Sequence, residues 1–174
     1  MKAASPVKIP NEYSTISSPI GELLLVTDGS ALTGIYFIGR KHVPATSKSW
    51  THNPKHPVLQ QAAAQLKKYF LGKQNKFTIP LRAAGTEFQE KIWQEIAKIP
   101  FGETITYTEL AKRAGVSHAI RAAGTSTGRN PISIIIPCHR IVGKNGSLTG
   151  FAGGLDKKRH LLELENADFK PLIS

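Results

Sequence analysis

Two short apolar runs, 20–27 (IGELLLVT) and 31–38 (ALTGIYFI), stand on either side of Asp28-Gly29-Ser30. Short apolar stretches joined through Asp-Gly predict a β-hairpin, because both residues tolerate the backbone of a tight turn. Residues 41–57 hold three prolines and little periodicity, and read as loop. Leu59, Ala62, Ala63, Leu66, Tyr69 and Phe70 then recur at helical spacing, and Gly72 stops the run. KFTIPL (76–81) predicts one more strand, and AAGT (83–86) marks a boundary. Residues 1–82 are therefore expected to form a small N-terminal sheet-plus-helix domain, and 83–174 a second domain.

The second domain opens with Thr86 and Gln89, spaced as a capping box, ahead of a helix whose apolar face is Phe88, Ile92, Trp93 and Ile96. Thr106 and Glu109 repeat that spacing after the turn PFGE (100–103). Residues 106–131 then read as helix, tight turn at Gly115, helix. An apolar run enters Pro137-Cys138-His139-Arg140, a turn is expected at Asn145-Gly146, and a Gly-rich loop (149–156) leads to a last helix from about Asp156 to Asn166. The predicted class is α+β: sheet and helix first, then a mainly helical, winged-helix-like half bearing a helix-turn-helix.

Charge sharpens this outline. There are 23 Lys and Arg against 12 Asp and Glu, a formal net charge of +11. Such an excess favours a polyanionic partner, of which nucleic acid is the commonest. From Tyr107 to Lys144 there are six basic residues and one acid, Glu109, so the basic stripe covers the expected helix-turn-helix. An ordinary αα-hairpin fits the spacing equally well, and the stripe tips the balance toward DNA. Ala111 lets the two helices approach, and Arg121 and Arg129 fall on or just after the second.

A single cysteine excludes an internal disulfide and every Cys-rich zinc site, and fits a reducing, cytoplasmic setting. His52 and His56 are four apart, but Pro54 between them and the lack of further ligands speak against a metal. No leader-like segment opens the sequence and no run approaches bilayer length.

Cys138 has two readings: a small buried hydrophobe, or a nucleophile activated by a nearby base or positive field. His139 and Arg140 could supply either, although neighbours in an extended segment point to opposite faces. A cysteine hydrolase would gain nothing from a helix-turn-helix beside it. A thiol just beyond a recognition helix fits chemistry on DNA.

RNPISIIIPCHRIV (129–142), with YTELAKRAG, AIRAAG and the later GGL, closely resembles the O6-alkylguanine-DNA alkyltransferases, over about Thr86 to Glu165. The resemblance implies irreversible transfer of an alkyl group from O6 of guanine in duplex DNA to Cys138, one turnover per chain, with O4-alkylthymine left open. It implies no cofactor, since the protein is itself the acceptor; some members carry a structural zinc on cysteines of the N-terminal half, and as this chain has no cysteine there, no metal is expected. A damage sensor that binds the lesion without reacting is the alternative, and relatives of that kind replace the cysteine.

The resemblance also assigns roles. His139 would deprotonate Cys138 through a water molecule, and Glu165 would orient His139. Tyr107 would donate to the departing guanine. Arg121 would fill the stack left by the flipped nucleotide, with Ala122, Gly124 and Arg129 also facing DNA in the minor groove. Asn130 would hold the turn between recognition helix and thiol. The carbonyls of Cys138 and Ile141 would read the guanine amino group, and the backbone of Phe151 and Ala152 would contact O6. A monomer in solution is expected, with cooperative assembly on DNA left open, and the basic N-terminal half is expected to add either salt-dependent contacts to DNA or protein–protein contacts on it.

Overall fold

The computed structural model describes residues 11–45 and 49–170. Strands β1 (Glu12–Ser18), β2 (Gly21–Thr27) and β3 (Leu32–Phe37) form an antiparallel meander, and the two-residue β4 (Thr51–His52) pairs parallel to β1. The sheet order is β3-β2-β1-β4. The expected hairpin is β2–β3, and its turn is held by the Asp28 carboxylate, which accepts from the backbone N–H groups of Ser30 and Ala31. Against one sheet face lies helix α1 (Pro57–Phe70), burying Leu59, Ala62, Leu66 and Tyr69.

The second half contains α2 (Glu87–Ala97), β5 (Ile105–Thr106), α3 (Tyr107–Arg113), α4 (Ile120–Gly128), β6 (Ile141–Val142) and α5 (Leu155–Leu164). The capping box of α2 forms in both directions, Thr86 to the Gln89 N–H and Gln89 to the Thr86 N–H. At α3 only half of the expected box forms. Thr106 Oγ1 accepts from the Glu109 N–H, whereas the Glu109 carboxylate turns to Arg113 Nε at 2.9 Å. Gly115 makes the turn of the helix-turn-helix with φ of 70°, a value that favours glycine. The Asn145-Gly146 turn forms as expected, with Gly143 N–H donating to Ser147 O at 2.8 Å.

Several expectations are corrected. Strand β1 was absent from the sequence reading, because EYSTISS is polar and only Ser14 in it is buried. Residues 76–81 form no strand. Pro80 has no N–H to donate, and the segment contributes one isolated bridge, Leu81 with Leu32. The stretch 41–57, part of which lies outside the described residues, contains β4 and ends in the first residue of α1. There His56 caps the helix by accepting the Val58 N–H, and His52 packs against the Tyr13 ring at 5.3 Å. No group of metal-ligating side chains occurs among the described residues. The last helix runs from Leu155 to Leu164, with Glu165 as its C-cap and Asn166 in the left-handed region.

One hydrophobic core passes through both halves, with Leu25, Ile35 and Leu66 in the same cluster as Ile92, Ile96, Ile132 and Leu161. Backbone bonds join the halves as well. Ile35 N–H donates to Pro131 O at 2.9 Å, and Ser133 N–H to Ile35 O at 3.3 Å. The edge of β3 thereby grips the segment that leads to Cys138. No helix among the described residues is long and apolar enough to cross a membrane.

Candidate active site

Between α4 and β6 the chain makes a tight passage. The Asn130 side chain staples it, its Nδ2 donating to Ile136 O at 2.7 Å and its Oδ1 accepting from the Ile132 N–H at 3.0 Å. Within the staple, Ile134 has φ of 76°, a left-handed backbone that a β-branched residue rarely adopts. Such strain persists only where the surroundings over-determine it, and here it sits four residues before the cysteine.

Cys138, His139 and Arg140 form a single 3-10 turn, not an extended segment. That turn changes where the neighbours point. All three are buried. His139 Nε2 lies 2.8 Å from Glu165 Oε1, and its Nδ1 is buried with no hydrogen-bond partner among the described residues. A carboxylate can only accept, so Nε2 carries the proton and Nδ1 keeps its lone pair. Burial pushes the His139 pKa below its ordinary 6.5 even though Glu165 raises it, which leaves a neutral ring with a basic nitrogen free.

Glu165 is the hub. Oε1 accepts from His139, from Tyr69 Oη at 2.6 Å and from Arg140 Nη2 at 2.9 Å; Oε2 accepts from Arg140 Nε at 2.9 Å and the Gly102 N–H at 3.3 Å. Burial alone would raise its pKa, but hydrogen bonds from His139 and Arg140 outweigh burial and hold it far below the usual carboxylate range. Arg140 also donates to Ile99 O at 2.6 Å and lies over the Phe101 ring. It therefore faces the carboxylate, not the thiol as the sequence allowed.

The positive charge near the thiol comes instead from Lys158, which the sequence reading missed. Its side chain is fully buried, and its ammonium donates to the carbonyls of Ile141 and, at 2.8 Å, Thr149. Burial lowers its pKa to about 8, and the field of Cys138 opposes that shift. A signal was present: Lys158, Leu161, Leu162 and Glu165 share the inward face of α5, so two charged residues occupy core positions. Tyr69 gave no such signal, since it lies 96 residues from its partner and reads as an ordinary apolar position of α1.

Burial raises the Cys138 pKa, opposed by a hydrogen bond from Asn130, by the charge of Lys158 and by the backbone N–H groups of Cys138 and His139. At neutral pH the resting thiol keeps its proton, and reaction requires a base. Tyr107, the first residue of α3, is also held as a neutral donor by burial, and Thr149 Oγ1 reaches its hydroxyl at 3.4 Å.

Cys138, His139, Glu165, Asn130 and Tyr107 are thus brought together. Tyr107, Gly124, Phe151 and Ala152 meet around a cavity of about 290 Å³, whose wall Gly128 and Gly150 continue. The carbonyls of Cys138 and Ile141 each already accept one bond, from the Ile141 N–H and from Lys158, and each keeps a second lone pair. Arg121, Ala122 and Arg129 lie elsewhere, on the exposed face of α4 and just past its end. Between them that face carries only small residues, Thr125 and Gly128 among them.

A buried thiol next in the chain to a fixed imidazole, in the same half as a helix-turn-helix with an exposed basic face, has the parts of a protein that reacts while holding nucleic acid. Known proteins narrow the class to one family. The model described as 6-O-methylguanine DNA methyltransferase, DNA binding domain, matches residues 87–167, and the one described as its ribonuclease-like domain matches 11–83. The methylated-DNA–protein-cysteine methyltransferase of Mycobacterium tuberculosis is 43% identical over 155 residues, 89% of this chain and 92% of that protein. That of Haemophilus influenzae is 45% identical over 158 residues, 90% of this chain and 87% of its own length. Among solved structures, Mycobacterium tuberculosis OGT in complex with DNA superposes with a TM-score of 0.83 at 42% identity, covering 89% of this chain and 92% of that one. The chain belongs to the 6-O-methylguanine DNA methyltransferase family.

Proposed function

We propose that the protein repairs O6-alkylguanine in DNA by moving the alkyl group onto Cys138, once per chain. The observation that carries this reading is the His139 ring, fixed by Glu165 on one nitrogen and free on the other, beside a thiol that needs a base. His139 Nδ1 takes the thiol proton through one water molecule. The sulfur lone pair then forms the bond to the alkyl carbon as the carbon–O6 bond breaks. Tyr107, kept as a phenol by burial, supplies a proton to the departing guanine and is reprotonated from the His139 side. Net, the thiol hydrogen ends on guanine and the alkyl group ends on sulfur as a thioether.

A base inside a stacked duplex cannot reach a buried thiol, so the nucleotide is extruded into the Tyr107 cavity, with Arg121 replacing it in the stack. The exposed face of α4, small in its side chains and flanked by Arg121 and Arg129, suits the narrow minor groove. We place the protein in the cytoplasm, as a monomer before it meets DNA. Its single cysteine and its bacterial relatives support the location.

The test is intact mass followed by a peptide map, after incubation with duplex DNA holding one O6-methylguanine. One methyl on Cys138, at most one per chain and none with undamaged duplex, is expected. An unmodified protein that still binds the lesion would make it a sensor.

A further inference from the structure

The cavity beside Tyr107 is not built by the C-terminal half alone. Lys41 and His42, from the segment that follows β3, complete its wall. Three further contacts bring this segment there. The Phe37 ring meets the Phe151 ring edge-on, with centroids 5.4 Å apart. Gly153 has no room for a side chain, since a Cβ there would lie 2.9 Å from Phe37 Cδ2. Arg40 lies against Gly154, where a Cβ would be 3.2 Å from Nη1, and it faces Asp156 at 3.9 Å. His42 itself has φ of 65°, a left-handed conformation uncommon outside glycine. The double glycine of the loop thus admits the N-terminal half to the mouth of the pocket.

The wall carries one lysine, one histidine and one phenol, and no carboxylate. A free base would have no use for a cation at the rim, whereas an extruded nucleotide carries its phosphodiester there. We propose that Lys41 and His42 form the outer wall of the alkyl-base pocket, and that Lys41 binds the phosphodiester of the extruded nucleotide. This rests on the repair reading above, and it gives the basic N-terminal half a defined task.

The test compares the parent with Lys41→Ala on two duplexes, each holding one O6-methylguanine. One has ordinary linkages; the other has an uncharged methylphosphonate at the linkage 3′ or 5′ to the lesion, each tried in turn. Lys41 is exposed, so its removal leaves the fold intact. Losing the lysine or the charge should each slow transfer about five- to ten-fold, the size of one exposed charge-assisted contact. Losing both should slow it no further at one of the two linkages. The salt slope of transfer should fall by about one, while affinity for undamaged duplex stays as in the parent. Multiplying losses at both linkages, an equal fall in affinity for undamaged DNA, or an unchanged rate would each overturn the phosphate contact. Failure of the parent itself to react with the ordinary duplex would instead bring down the repair reading, and this proposal with it.

Discussion

Glu165→Gln tests the hub of the site. The carboxylate receives five hydrogen bonds, three on Oε1 and two on Oε2, and all the partners are donors. An amide can keep only one of those oxygens. Whichever way Gln is turned, its NH2 faces at least two donors, and the charge opposite the buried Arg140 is gone. Two lost bonds involving charged groups, at about 1.5–3 kcal/mol each, give about 3–6 kcal/mol. Breaking a buried ion pair from one side independently gives about 3–5 kcal/mol. Both values are a large share of a whole-domain stability of about 5–15 kcal/mol. For a chain of this size, about 4 kcal/mol lowers Tm by about 8–16 °C. The assay is thermal and urea unfolding of parent, Glu165→Gln and Tyr69→Phe, with transfer rates taken well below each midpoint. Tyr69→Phe removes one donor and leaves His139 held, so it should cost less and react at nearly the parental rate. A Glu165→Gln protein within about 1 kcal/mol of the parent would refute the network. One that is destabilised but transfers at the parental rate would show that Glu165 supports the fold without orienting the base.

Other expectations follow from the same contacts. Burial depresses the His139 pKa below 6.5, so the unfolded chain takes up its proton first; stability should fall as pH drops through 6.5, and the acid limb of transfer should have its midpoint below that value. An acid midpoint at or above 6.5, measured by single-turnover rates, would contradict the neutral buried ring. Lys158 is depressed from 10.5 to about 8, so between those pH values the unfolded chain binds more protons and stability should rise with pH; urea unfolding should show that rise in the parent and lose it in Lys158→Met. Asn130→Ala removes both bonds of the staple and strands the Ile136 carbonyl and Ile132 N–H, a cost of about 2–5 kcal/mol in urea unfolding with a fall in transfer rate. A loss below about 1 kcal/mol would mean the passage holds its shape without it.

Helices with a clear apolar face were legible from sequence: α1, α2 and both helices of the helix-turn-helix were found from spacing, capping residues and one glycine. Strand β1 was not, because its contribution is backbone pairing, and backbone pairing leaves no trace in side-chain polarity. The opposite error came at 76–81, where Pro80 has no N–H to give and pairing stops at the single bridge of Leu81 with Leu32. In the site, Cys138 stood out as the single cysteine, and Asn130 and Tyr107 were named through the family resemblance that their local motifs carry. The contacts of Arg140 were not legible, because a guanidinium beside a thiol in sequence turned toward a carboxylate 25 residues on; Lys158 was missed although it stands on the inward face of α5. Tyr69 and Lys41 enter from the other half of the chain, and only the shared core shows that they arrive.

Glu165 caps the last helix among the described residues, 26 positions after His139. The ribosome therefore delivers the cysteine and its histidine well before the carboxylate that fixes the ring, at about 5–20 residues per second. Until α5 docks, Cys138 is an ordinary thiol beside an untethered imidazole. The recognition helices, all upstream, can already be folded at that stage. On the proposed reading, the groups that would face DNA are thus made before the carboxylate that completes the site.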